Sequence, residues 1–235
     1  MKKKVIVLSG AGISAESGIQ TFRDADGLWE GHDVMAVASP QGWQEDPVLV
    51  LDFYNQRRKQ LLSVEPNLAH QKLAELEVFY DVTIITQNID DLHERAGSSR
   101  VVHLHGELLK VRSSVEPTYV MEWKQDLNIG DLCLHNSQLR PHVVWFGEPV
   151  PMIEIAAEIT SQADFLIIVG TSLQVYPAAG LMSYAPSTIP IFYIDPAPKQ
   201  SVELQARPNI EVLAARATVG IAQVVQSLIE ECKNK

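Results

Sequence analysis

Cysteine is nearly absent from this sequence: Cys133 and Cys232 are the only two among 235 residues, and they form no Cys-x-x-Cys pair. That excludes a disulfide framework and points to a reducing compartment. Basic residues are also scarce, with 19 Lys and Arg against 29 Asp and Glu, so the net charge is −10. A chain this acidic has no general attraction for nucleic acid or an anionic membrane. No apolar stretch approaches the roughly 18 residues of a membrane span. Lys2-Lys3-Lys4 followed by Val5 to Leu8 has the charge of an export signal, but the apolar run stops at Ser9-Gly10. An export core needs roughly 7–15 apolar residues. A cytoplasmic protein is expected, and a monomer.

What is present is a series of short, continuous apolar runs: Val5 to Leu8, Val82 to Ile85, Phe165 to Val169, Ile191 to Ile194 and Ile210 to Leu213. Runs without alternation predict strands buried on both faces. Helical patterns separate them at Val48 to Leu62, Ala69 to Phe79, Ile153 to Gln162 and Val219 to Glu231. Alternating strands and helices predict an α/β fold with a Rossmann-like parallel sheet. The length suits one catalytic domain carrying a small inserted module. That module is expected at about 21–60 and 108–140, the second stretch being polar and without a strong strand.

Gly10-Ala11-Gly12-Ile13-Ser14-Ala15 follows the first strand and reads as G-x-G-x-x-A. The first two glycines permit a tight turn and close approach of a pyrophosphate, and a following helix N-terminus would offer N–H groups to it. A plain glycine turn reads the same way. The acidic ribose ligand normally found about 20 residues on is missing; Thr21-Phe22-Arg23 and Trp29 stand in a loop instead. Gln87, Asn88 and Asp90 cluster after the second strand, where open sheets place ligands, although Asn88 also suits a helix N-cap. His103 and His105 lie two apart before Gly106. A histidine there is a general-base candidate; a metal pair lacks a third ligand nearby. Val144-Trp145-Phe146-Gly147-Glu148 is either a core strand or a strip that receives a peptide by strand addition. Gly170-Thr171-Ser172 ends another strand with donors for phosphate or ribose.

Five segments together resemble the sirtuins: GAGISAESGIQTFR at 10–23, TQNIDDLH at 86–93, HLHGEL at 103–108, RPHVVWFGE at 140–148 and GTSLQVYPAA at 170–179. The resemblance implies an NAD-dependent protein-lysine deacylase, with NAD consumed and acyl-lysine proteins as substrates. It implies that Gly10, Ala11, Gly12, Ser14, Thr21, Phe22, Arg23, Trp29, Gly170, Thr171 and Ser172 line the NAD site. Gln87, Asn88 and Asp90 would surround the nicotinamide and its ribose. Asp195, where the family often has asparagine, and Ala217 would lie on the adenosine side. His105 matches the family's catalytic histidine and His103 does not. Val144 to Glu148 resembles the strip that pairs with the substrate backbone. The implied products are nicotinamide, free lysine and acyl-ADP-ribose. An NAD reader without turnover and a mono-ADP-ribosyl transferase are the competing classes; a reader has no need of a base.

Two features separate this chain within that resemblance. The family usually holds zinc with two Cys-x-x-Cys pairs, whereas Ser113, Glu116, Cys133 and Asn136 stand here. One soft ligand does not make a tetrahedral site, so no metal is expected. Second, Tyr54 and Arg57 lie three apart in the helical stretch 48–62, on one face. Their Y-x-x-R pair matches sirtuins that remove succinyl and malonyl groups. A phenol beside a guanidinium can grip a carboxylate, so acidic acyl groups are expected to be preferred, with acetyl also removed.

Overall fold

Four of the apolar runs are buried on both sides because each sits inside one sheet; the fifth, Ile210 to Leu213, forms its edge and leaves Val212 exposed. The structure, a computed structural model, describes residues 2–20, 28–29, 31–198, 204 and 207–234. After β1 (Lys4–Ser9) come the short β2 (Leu28–Trp29) and β3 (His32–Asp33), then α1 (Val34–Val37), α2 (Pro40–Glu45), α3 (Pro47–Ser63) and α4 (Leu68–Leu76). Next are β4 (Asp81–Thr86), α5 (Leu92–Arg95), β5 (Val101–His103), β6 (Gly106–Ser113), β7 (Val120–Glu122) and β8 (Leu139–Val143). The chain continues through α6 (Ile153–Ser161), β9 (Phe165–Val169), β10 (Ile191–Ile194), β11 (Ile210–Leu213) and α7 (Ala217–Lys233).

The main sheet is parallel, in the order β11-β10-β9-β1-β4-β5. Val5, Val7, Ile84 and Ile167 face α4 and α7 in one core; Ile6, Leu8, Ile168 and Tyr193 face α6 and the 178–184 turns in the other. Alternate residues of each strand thus enter different cores, and the sequence shows no polar alternation. From β1 the chain moves out to β4 and β5, then returns to the far side of β1 at β9. The chain thus leaves β1 and β9 toward opposite sides of the sheet, and such a switch point is where open sheets form a ligand crevice at their carboxyl ends.

The stretch 108–140, expected to carry no strong strand, lies within an antiparallel sheet β7-β6-β8 that spans 106–143. Its middle strand alternates Leu108, Val111 and Ser113 inward with Lys110 and Arg112 less buried. Its partner β8 is about thirty residues away, so local composition did not reveal the pairing. Helix α3 packs against this sheet through Val50, Phe53 and Tyr54 with Leu109, Val143 and Trp145. Helix α4 stops at Leu76, short of the expected Phe79; successive turns close over 77–80 instead. Among the described residues no helix is long and apolar enough to cross a membrane.

Candidate active site

The floor of the crevice is bare backbone. Gly12 N–H donates to the Gly170 carbonyl at 2.8 Å, and a Cβ on Gly12 would lie 2.6 Å from Gly170 Cα. Gly170 itself has φ +64°, a left-handed conformation that glycine adopts freely. No α-helix begins directly after β1 among the described residues, contrary to the expectation from the fingerprint. Two 3-10 turns, Ala11–Ile13 and Ala15–Ser17, follow, and Gly18 at φ +96° ends them. The turns spend the N–H groups of Ile13 and Ser14 on the carbonyls of Gly10 and Ala11. A helix N-terminus is thus not what faces this crevice; tight turns are.

A hydrogen-bond chain organises the polar wall. Asn88 Nδ2 donates to Ser14 Oγ at 3.2 Å, and Ser14 Oγ donates to Asp90 Oδ2 at 2.9 Å. Asn88 is therefore not a helix cap; Asp91 precedes α5, and the Asn88 N–H is taken by Thr86 Oγ1. Burial raises the Asp90 carboxyl to about 6, against the opposing hydrogen bonds from Ser14 and Leu92. Across the crevice Gln87 Nε2 donates to Thr171 Oγ1 at 3.1 Å. Thr171 also accepts Leu173 N–H, which pins the loop after β9, with Ser172 partly exposed beside it.

His105 stands where β5 has ended and β6 has not begun. Its Nδ1 lies 3.0 Å from the Gln87 carbonyl. A carbonyl only accepts, so Nδ1 carries the proton and Nε2 keeps its lone pair. Burial lowers the pKa of His105, more than the Gln87 carbonyl raises it. The ring is consequently neutral near pH 7 and suited to accept a proton. His103 turns to the Asn88 carbonyl and Glu94 instead.

The remaining expected residues divide. Asp195 is buried beyond β10, where its Oδ1 accepts Ala197 N–H. Ala217 begins α7, whose next residue, Thr218, donates twice to the Glu16 carboxylate. Both lie at the carboxyl edge of the sheet, apart from His105. Trp29 packs edge-on to Phe53, with ring centroids 5.0 Å apart. Thr21, Phe22 and Arg23 lie outside the described residues.

The 144–148 strip is not an open strand edge. Val144 N–H bonds the His105 carbonyl, Phe146 N–H the Ala38 carbonyl, and Trp145 N–H the Glu148 carboxylate. Glu148 also receives Arg140 at 2.7 Å and Arg112 at 3.1 Å. Three N–H groups are thus committed internally, while Phe146 and Gly147 remain exposed. Arg140 stacks on Trp145 at 3.3 Å, a packing role that sequence reading missed. Its one visible signal was an arginine beside proline in an otherwise apolar strip. Trp145 is buried, and its Nε1 donates to Tyr54 Oη at 3.0 Å. Burial raises the Tyr54 pKa, so the phenol stays protonated. One turn on, the Arg57 guanidinium lies over the Phe53 ring at 5.4 Å, and partial burial lowers its pKa.

At the family's metal locus hydrogen bonds replace ligands. Ser113 Oγ accepts Val115 N–H and Glu116 N–H, and Cys133 Sγ donates to it at 3.6 Å. Asn136, with φ +57°, returns its N–H to the Cys133 carbonyl, and His135 pairs with Glu116 at 2.7 Å. Among the described residues no three His, Cys, Asp or Glu side chains converge to hold a metal ion. One thiol and a hydroxyl do not fit structural zinc.

A switch-point crevice with bare backbone, an ordered Asn-Ser-Asp chain and a neutral histidine defines a nucleotide-using enzyme of Rossmann type. The chain belongs to the Sir2 family, whose model matches residues 10–177. It is 59% identical to the "NAD-dependent protein deacylase" of Helicobacter pylori over 97% of this chain and 98% of that protein. Among solved structures, a Sir2 homologue mutant in complex with ADP-ribose has a TM-score of 0.89 at 36% identity, covering 100% of this chain and 95% of that one. A Sir2 homologue–NAD complex has a TM-score of 0.86 at 37% identity, covering 98% and 91%.

Proposed function

We propose that this Sir2-family enzyme, an NAD-dependent protein deacylase, acts on acylated lysine and prefers acyl groups that end in a carboxylate. The observation that carries the preference is the placement of Tyr54 and Arg57. Both lie on α3, and the Tyr54 hydroxyl is held by the Trp145 indole N–H. Because that hydroxyl already accepts one bond, its own proton is directed elsewhere and can be given to an acyl carboxylate. Burial makes the Arg57 charge costly, and a carboxylate brought beside it offsets that cost. The guanidinium can grip both oxygens at once.

NAD is the co-substrate, and the residues present fit it. Gly10, Gly12 and Gly170 leave room for backbone approach. Ser14, Asn88, Asp90, Gln87 and Thr171 supply hydroxyls, amides and a carboxyl that suit ribose and carboxamide groups. NAD brings a carbon whose nicotinamide is already a good leaving group, so holding the acyl oxygen against it supplies much of the rate. The chain's own contributions are two. Asn88 and Asp90 orient the reacting end, and His105 Nε2 takes a proton from a ribose hydroxyl. An intact base and the full Gln87, Asn88, Asp90 set favour turnover over a mere reader. The two free cysteines suit a reducing, cytoplasmic setting.

The test is kcat/KM on matched acetyl- and succinyl-lysine peptides, for wild type and Arg57→Met. The wild type should favour succinyl by about 10–100-fold, from charge-assisted hydrogen bonds of roughly 1.5–3 kcal/mol. Arg57→Met should remove most of that preference. Equal wild-type efficiencies, or an unchanged ratio in the variant, would make a general deacetylase the better description.

A further inference from the structure

We propose that His103 is a positioning residue of the NAD site: as an imidazolium it ties the main-chain carbonyl of Asn88 to the Glu94 carboxylate, holding the 87–91 segment so that Asn88 and Asp90 face the crevice. The inference rests on the reading that Asn88 and Asp90 hold the nicotinamide end of NAD.

The geometry argues it from proton counting. His103 Nδ1 lies 3.2 Å from the Asn88 carbonyl oxygen, and Nε2 lies 2.7 Å from Glu94 Oε1. Both partners are acceptors. A neutral imidazole has one N–H and can serve only one of them. Two bonds therefore need two ring protons, with Glu94 ionised. The charges around the ring agree. Glu94 on α5 and Glu107 on β6 favour the cation; Asp90 lies in the held segment, and His93 on α5 is buried and neutral. Burial works against the charge on His103, but Glu94, Glu107 and the Asn88 carbonyl together outweigh it and raise its pKa. Burial likewise works against the Glu94 carboxylate, and His103, with a backbone hydrogen bond and Lys110, outweighs it.

His105 offers the contrast, two residues on. Its Nδ1 holds the neighbouring carbonyl, that of Gln87, in the same way. No carboxylate pairs with its Nε2 in the described structure, and its pKa is lowered. One carboxylate thus divides two histidines of similar setting into a fixed cation that positions and a neutral base that reacts.

A consequence follows for high pH. When His103 loses a proton, the carboxylate, the stronger acceptor, retains the remaining N–H, and the Asn88 carbonyl is released. Replacing Glu94 by Gln reverses this. The amide can donate to Nε2, and the neutral ring keeps its Nδ1–H on Asn88.

The test combines ring 15N NMR of His103 with initial-rate kinetics in NAD and an acetyl-lysine peptide from pH 6 to 9. In the wild type both ring nitrogens should be protonated at pH 7, with a midpoint above about 6.5; in Glu94→Gln the midpoint should fall to that value or below. His103→Ala should raise KM for NAD about tenfold, the worth of one charge-assisted hydrogen bond, and affect kcat less. His103→Asn, whose amide stands where Nδ1 did, should recover most of that loss. The wild-type KM for NAD should rise at alkaline pH, and Glu94→Gln should flatten the rise. A neutral His103 at pH 7, or an unchanged KM in a folded His103→Ala, overturns the proposal. Asn88→Ala separates the two readings. If it raises KM while His103→Ala does not, the clamp alone fails; if neither does, the nicotinamide assignment fails with it.

Discussion

The Trp145 indole N–H donates to the Tyr54 hydroxyl across 3.0 Å, joining two segments 91 residues apart in the chain. Glu148 holds the other end of this arrangement by binding Trp145 N–H and Arg140, and the Arg140 guanidinium sits over the indole. The Tyr54 phenol is thus set by the strip that follows β8, not by its own helix alone.

Tyr54→Phe should therefore act twice. It leaves the buried Trp145 N–H without an acceptor, at a cost of about 1–3 kcal/mol in unfolding free energy. It also removes a donor to an acyl carboxylate, so succinyl-lysine should lose efficiency by about tenfold relative to acetyl-lysine. Denaturant titration and paired kcat/KM values check both effects. A variant with unchanged stability would show that the indole bond contributes nothing.

His105→Ala should fold, bind NAD close to normally and lose deacylation by about 10²–10⁴-fold, the typical worth of one general base. The base works when neutral, so wild-type activity should fall on acidification. Its lowered pKa places that fall below the ordinary imidazole value of about 6.5. A pH–rate profile and NAD binding by the variant decide the matter. Near-normal deacylation by folded His105→Ala would remove the assignment.

Acid stability should be governed in part by a second histidine pair. His70 and His93 are buried with ring centroids 4.9 Å apart, and His93 Nε2 meets Ser9 Oγ at 3.0 Å. Burial lowers His70 to about 4 and His93 well below its ordinary value. The folded-state pKa values lie below the unfolded ones, so the unfolded chain binds more protons between them. Stability is then full above about pH 6.5 and is lost as pH falls toward 4, by about 3 kcal/mol for His70 alone. His70→Gln keeps the capping bond to Asn67 N–H and should shrink the drop in Tm between pH 7 and pH 5. An equal drop in both proteins would exclude His70 as its source.

The small module should need no metal. Elemental analysis should find no stoichiometric zinc, and a chelator should leave Tm unchanged. Cys133→Ala loses the hydrogen bond to Ser113 and a buried sulfur packed with Leu51, Val111, Leu127 and Leu139, and should cost about 1–2 kcal/mol without unfolding the module. In a zinc-built module loss of a ligand unfolds the unit. One tightly bound zinc per chain would overturn this account.

Local sequence settled the parallel sheet and named candidate residues that the fold gathers at its carboxyl end. Four continuous apolar runs became inner strands, because burial on both faces forces apolar residues along them; the fifth, Ile210 to Leu213 with its Glu211, became the half-exposed edge strand β11. Gly10, Gly12 and Gly170 were legible because a Cβ does not fit where two backbones touch. The antiparallel sheet β7-β6-β8 was hidden, since its stability comes from pairing across about thirty residues rather than from propensity. Protonation and partnership were also beyond the sequence. His103 and His105 read alike as residues of one motif. Only the fold brings Glu94 to one ring and not to the other, and the sign of a pKa shift depends on which charges surround the group. The same holds for Glu148, which sequence placed toward a substrate and the fold turned inward onto Arg140 and Arg112. Motif spacing selects residue types; distance in space decides which of them share a proton, a charge or a carbonyl.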